Sequence, residues 1–166
     1  MFKKEFDDAI NFVLKWEGGY SFDKDDPGGE TKYGISKRAF PNIDIKNLTI
    51  DQAKEIYYNN YWKKTKCNLI SHKLRLIYFD SCVNLGYKRA VKILQQTINS
   101  FKIDNLVVDG LLGNKTLTAM DNCNNQELPY RYVLFRIKFY MKIIILRKKA
   151  IKYIKGWLKR SFDLIN

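Results

Sequence analysis

The chain holds a single histidine, His72. It lies in a polar stretch without an evident orienting partner, which leaves a catalytic thiol without the base that would activate it. Cysteine is also scarce. Cys67, Cys82 and Cys123 are odd in number and lack metal-ligand spacing, so they read as buried free thiols of a chain made in a reducing compartment, with no disulfide scaffold to build. Long apolar runs are absent as well. Near the C-terminus the longest, residues 143–146, is closed by Lys142 and Arg147, far short of the roughly twenty residues that span a bilayer. No stable membrane insertion is expected. The N-terminal stretch intersperses charge among its apolar residues and lacks the uninterrupted apolar core of a secretory signal. It is expected to stay in the mature protein, with synthesis in the cytoplasm. No internal repeat or low-complexity linker divides the chain.

What the chain does have is positive charge. Thirty Lys and Arg stand against seventeen Asp and Glu, a formal net charge of +13, which suits polyanionic partners such as nucleic acid, anionic lipid or bacterial wall polymer. A length of 166 residues suits one ordinary domain, or a domain with a small subdomain, and encloses a real hydrophobic core.

Almost every segment has a helical period. Phe6, Ile10, Val13 and Glu17 share one helix face, and Gly18 and Gly19 end that helix. A second helix starts after Thr49 as N-cap, with Ile50, Ala53, Ile56 and Tyr57 on one stripe. A third runs from about Lys73 to Leu85, with Leu74, Ile77, Tyr78, Cys82 and Leu85 inward, and stops near Gly86. "KRAVKILQQTI" opens the next, and "VVDGLLGNKTLTAM" turns through two glycines into another. Residues 129–160 make one long or broken helical segment, with Val133, Leu134, Ile137, Met141, Ile144, Ile151, Ile154 and Leu158 expected to face inward. The fold class is mainly α, with a short β-hairpin or extended loop after the first helix.

That loop carries the chemistry. "KWEGGYSFDKDDPGGETKYGIS", residues 15–36, sets Glu17 on the apolar side of a helix end. Desolvation there opposes ionisation of a carboxyl group, as a glycosidase requires of the general acid that protonates a leaving sugar oxygen. Asp23, Asp25, Asp26 and Glu30 crowd close behind it, and Thr31 adds a hydroxyl. Carboxylates this dense repel one another unless held for chemistry or for a cation. "DKDDPGGET" lacks EF-hand ligand spacing and its Pro-Gly-Gly would break such a loop, so neither a metal nor another cofactor is expected.

These residues resemble glycoside hydrolase family 108, the lysozyme-like N-acetylmuramidases. "EGGYSFDKDDPGGETKYGIS" looks like the family signature, and "LTIDQAKEIYYNNYW", "FDSCVNLGYKRAVKILQQTI", "DGLLGNKTLTAM" and "GWLKR" are similar to its later blocks, in the family's order. The chain departs from the pattern at "LRKKAIKYIKGW", where an Asn-Pro break is expected before Gly-Trp. The resemblance implies a lysozyme-like catalytic region over residues 1–87 and a helical peptidoglycan-binding region over residues 88–166. It implies hydrolysis of the β-1,4 bond between N-acetylmuramic acid and N-acetylglucosamine, with Glu17 as the catalytic glutamate. Phage-type lysozymes place an Asp and then a Thr at set intervals after that Glu. Asp26 keeps the interval from Glu17 and Asp25 the interval to Thr31, so both aspartates stand as the second catalytic group, Asp26 first, with Thr31 holding a water.

Tyr20, Tyr33, Tyr57, Tyr61 and Trp62 are candidate aromatics for sugar rings, although Tyr57 already has a place on the apolar stripe. Asn84 and Gly86 interrupt an apolar helix and are candidates to line the cleft, where the amide would suit an acetamido group. Trp157 and Arg160 read as packing and surface residues. The expected partner is peptidoglycan, bound by a monomer, at the wall or periplasm after release or export. No nucleic-acid partner is expected, because no base-reading pattern stands out. The rival is a non-enzymatic cationic helical protein for wall, membrane or nucleic acid, with residues 138–160 as its amphipathic segment.

Overall fold

Helix α1 (Lys4–Trp16) forms on the spacing of Phe6, Ala9, Ile10 and Val13, all buried, with Glu5 and Asp7 in its first turn and Lys15 in its last, charges that oppose the helix dipole. The computed structural model describes residues 4–22, 29–124 and 126–166. They fall into two compact units, Met1–Lys64 and Thr65–Asn166.

In the first unit the Glu17 amide still donates to the Val13 carbonyl at 3.0 Å, so Glu17 occupies the position just past α1. Strands β1 (Thr31–Lys32) and β2 (Ile35–Ser36) then pair antiparallel, Thr31 opposite Ser36 and Lys32 opposite Ile35. Only Tyr33 and Gly34 remain for the turn, and both have positive φ, 53° and 75°. This is the type I′ geometry whose twist matches that of a two-stranded ribbon. Ser21 adds an isolated bridge to Thr31. Helix α2 (Ile50–Tyr57) starts at Thr49 with a full capping box, Thr49 accepting from the Gln52 amide and Gln52 accepting from the Thr49 amide. Ala53 and Tyr57 face inward while Ile50 is exposed. The coil then widens into a π-helix (Tyr58–Lys63), a change of pitch that hydrophobic periodicity does not reveal.

The second unit is helical throughout its regular elements. A 3-10 turn (Cys67–Leu69) leads to α3 (His72–Leu85), α4 (Tyr87–Asn99), α5 (Asn114–Asp121) and α6 (Leu128–Leu146). A 3-10 segment (Lys148–Tyr153) and α7 (Ile154–Asp163) follow. Helix α3 packs on α4 and α6, α4 on α6, and α6 on α7. Leu74, Ile77, Tyr78, Cys82 and Leu85 are buried as their spacing predicts, and all three cysteines are buried free thiols. Among the described residues no helix is long and apolar enough to cross a membrane.

Helix α6 differs from expectation. Its buried face is Leu128, Tyr132, Val133, Arg136 and Tyr140, whereas Leu134, Met141 and the later Ile151, expected inward, are exposed. The cause is that α6 is apolar nearly all round, so periodicity alone cannot choose the inner face. The buried face instead contains a charge. Arg136 donates to Asp80 of α3 through Nη1 at 2.5 Å, to the Ser81 hydroxyl at 3.1 Å and to the Tyr140 hydroxyl at 2.9 Å. Arg160 of α7, expected at the surface, is buried and donates to the other Asp80 oxygen at 2.9 Å. Burial works against the Arg136 charge, but the Asp80 carboxylate outweighs it and holds the guanidinium above its ordinary pKa. Trp157 stacks on Tyr140 with ring centres 4.7 Å apart.

Candidate active site

Glu17 is half-buried at the end of α1, and the hairpin turn presses on it. A methyl group at Gly34 would stand 2.8 Å from Glu17 Oε2 and 2.5 Å from the Tyr57 hydroxyl. Glycine is therefore required twice over, once for the left-handed backbone and once for the space. The Tyr57 hydroxyl donates to the Tyr33 carbonyl at 2.9 Å, which fastens the turn to α2. The π-helix sets the Tyr61 ring 5.3 Å from that of Tyr57. Burial, and after it the negative charge of Glu17, make the Tyr61 phenol harder to ionise. Four elements thus converge on one carboxyl group: α1, the hairpin turn, α2 and the π-helix. A half-buried carboxyl beside a phenol and against a tight turn is placed as a group for proton transfer to a bound sugar requires.

Thr31 is half-buried in β1, with its amide and carbonyl both paired to Ser21 at 2.9 and 2.8 Å. Asp25 and Asp26 lie outside the described residues. Tyr20 is exposed and donates to Glu30 at 2.9 Å. Tyr33 is half-buried, with the Lys32 ammonium 5.5 Å from its ring centre. Trp62 is only 5% exposed and packs edge-on against Phe6 at 5.3 Å, so in this conformation it belongs to the core and offers no stacking surface. Asn84 and Gly86 lie in the second unit. Asn84 is exposed and accepts from the Tyr140 hydroxyl at 2.8 Å, and Gly86 makes the α3 to α4 junction with φ 85°. Among the described residues no group of His, Cys, Asp and Glu could hold a metal ion.

No role is expected of Gly34 from the sequence, and Tyr57, a candidate for the sugar rings as well as a member of the apolar stripe, is buried. The available signal was "KYGIS" itself, since a glycine between two short β-prone pairs marks a tight hairpin.

The second unit has a groove of about 970 Å³ between α4 and α6, lined by Arg89, Lys92, Lys138, Lys142 and Arg147 and by no acidic residue. Glu17 lines neither this groove nor the smaller one along α2. Beside α4, the Asp-Gly turn at 109–110 is a structural device. Gln95 donates to Asp109 at 2.7 Å and accepts from the Gly110 amide at 2.9 Å.

A helix-end carboxyl packed against a tight hairpin, in a chain with a basic helical unit, suits a glycoside hydrolase acting on an anionic polymer. Residues 10–86 match the family described as glycosyl hydrolase 108, and residues 89–162 match the predicted peptidoglycan domain. The chain thus joins a segment that matches the glycosyl hydrolase 108 family to one that matches a peptidoglycan domain, a pairing that supports a peptidoglycan hydrolase. Among solved structures it is similar to the structure of Brucella abortus SagA, with 27% sequence identity and a TM-score of 0.77, over 96% of this chain and 90% of that one. No curated protein matches the chain. The family segments meet between residues 86 and 89, whereas the compact units meet at Lys64 and Thr65, since α3 packs on α4 and α6.

Proposed function

We propose that the protein is an N-acetylmuramidase that hydrolyses the β-1,4 bond between N-acetylmuramic acid and N-acetylglucosamine, with Glu17 as general acid. The observation that carries this reading is the seating of the Glu17 carboxyl against Gly34 and beside Tyr57 and Tyr61. Glu17 protonates the leaving sugar oxygen, and a carboxylate of the acidic loop, Asp26 or Asp25, acts as base or stabilises developing positive charge. Thr31 holds the attacking water, and Tyr20, Tyr33 and Tyr61 supply ring faces to the glycan. The acid-free groove between α4 and α6 holds the anionic polymer while the site works.

In this reading the enzyme is made in the cytoplasm and acts as a monomer on periplasmic or wall peptidoglycan after release or export, in lysis or in wall remodelling. A purely cationic binding protein would have no use for a glycine packed onto a carboxylate. Digestion of purified peptidoglycan, followed by identification of the new ends, tests the bond. Muramic acid reducing ends are expected, and glucosamine reducing ends, new amino groups or new carboxyl groups would each overturn the assignment. Glu17→Gln keeps the shape but cannot donate as an acid, and it is expected to lower turnover at least about a hundredfold while the protein stays folded.

A further inference from the structure

Helix α6 buries one apolar face and leaves a second one open. Tyr130, Leu134, Met141 and Ile145 are 55%, 58%, 46% and 76% exposed, and at 3.6 residues per turn they form one narrow stripe opposite buried Arg136. Beyond the Glu127 cap, the charge that α6 and the segment after it contribute has one sign. No Asp or Glu occurs between Glu127 and Asp163. Lys138 and Lys142 run along one flank, and past the end of α6 the exposed Lys148, Lys149 and Lys152 lie in the same 3-10 segment as exposed Ile151.

We propose that the outer face of α6, with the 3-10 segment after it, docks onto an anionic phospholipid surface. An apolar stripe with lysines along one flank and past its end matches the two layers of such a surface: acyl chains take the stripe and headgroup phosphates take the lysines. A wall polymer would use the cations but leaves the stripe without purpose. A second copy of the chain would bring like rows of lysine together between partners that each carry +13. The helix lies on the membrane and does not enter it, because its other face is tied to Asp80 through Arg136 and no described helix can span a bilayer. The proposal does not depend on the muramidase assignment.

The test is sedimentation of the full chain with phosphatidylcholine vesicles, alone and mixed with phosphatidylglycerol. Binding is expected only to the mixed vesicles. Each lysine at an anionic surface is worth about fivefold in partitioning, so Lys148→Gln/Lys149→Gln/Lys152→Gln should weaken binding at least about tenfold. Leu134→Ser/Ile145→Ser should do the same through lost apolar burial, and digestion of purified peptidoglycan should be unchanged in both variants. If the serine pair lowers the melting temperature, Ile145→Ser alone carries the reading. Equal binding to neutral vesicles, no binding to either, or full binding by the serine variants would overturn the proposal. So would loss of retention on purified walls by these variants, which would name the wall as occupant, or a parent dimer that Ile145→Ser dissolves, which would name a second copy.

Discussion

Replacing Gly34 with alanine adds one methyl group, and its effect can be worked out from two distances. At φ 75° an alanine costs about 1 kcal/mol in backbone strain. Its Cβ would stand 2.5 Å from the Tyr57 hydroxyl and 2.8 Å from Glu17 Oε2, so one or both must move. Moving the Tyr57 hydroxyl breaks its bond to the Tyr33 carbonyl, at about 0.5–1.5 kcal/mol. The sum is about 2 kcal/mol, or a fall in melting temperature of about 4–8 °C for a chain of this size. The effect on catalysis should be larger, because a displacement near 1 Å costs about a hundredfold when the moved atom is a reacting one. Gly29→Ala is the control. Gly29 also has positive φ, 67°, but open space where its Cβ would be, so it bears the strain alone. Urea melts and peptidoglycan digestion of both variants give the comparison. If Gly34→Ala loses no more stability than Gly29→Ala and keeps turnover within a few-fold of the parent, Glu17 does not work from the position described.

Asp25→Asn, Asp26→Asn and Thr31→Ala, assayed side by side, should rank Asp26→Asn as the more damaging aspartate change. A larger effect from Asp25→Asn moves the second catalytic role to Asp25, and small, equal effects from all three remove the loop from the chemistry. Asp80→Asn leaves two buried guanidinium groups facing a neutral amide and should destabilise the protein by about 3–5 kcal/mol in denaturant melts; a shift under 1 kcal/mol would mean that the network contributes little. Raising ionic strength should weaken adsorption to intact walls far more than cleavage of a short uncharged chitooligosaccharide, since exposed charges are screened over about 10 Å at 0.1 M salt. Parallel decline of the two rates would assign the salt effect to the site or the fold.

Elements whose residues obey a single strong rule were legible from sequence. Helix α1 shows its phase because charge fills every face except that of Phe6, Ile10 and Val13, and Thr49 announces α2 through a capping box that needs only local chemistry. Helix α6 hid its orientation because apolar residues on both faces carry no phase, and its inner side is fixed by a long-range partner, Asp80, fifty-six positions earlier. At the candidate site, Glu17 stood out as a carboxyl on an apolar face. Its contacts did not, because the close approach of Gly34 and the wide turn that carries Tyr61 arise only when the hairpin and the π-helix are in place.

The buried carboxylate of Asp80 belongs by family to the hydrolase segment, while both guanidinium groups it pairs with, Arg136 and Arg160, belong to the peptidoglycan segment. The family boundary is therefore no seam at which the gene could be cut and rejoined freely. A chimaera that grafts a foreign wall-binding half after residue 88 must import arginines at both positions, or replace Asp80 with a neutral residue, for the junction to fold. As long as Asp80 is kept, a replacement for the second half has to bring the matching pair of arginines.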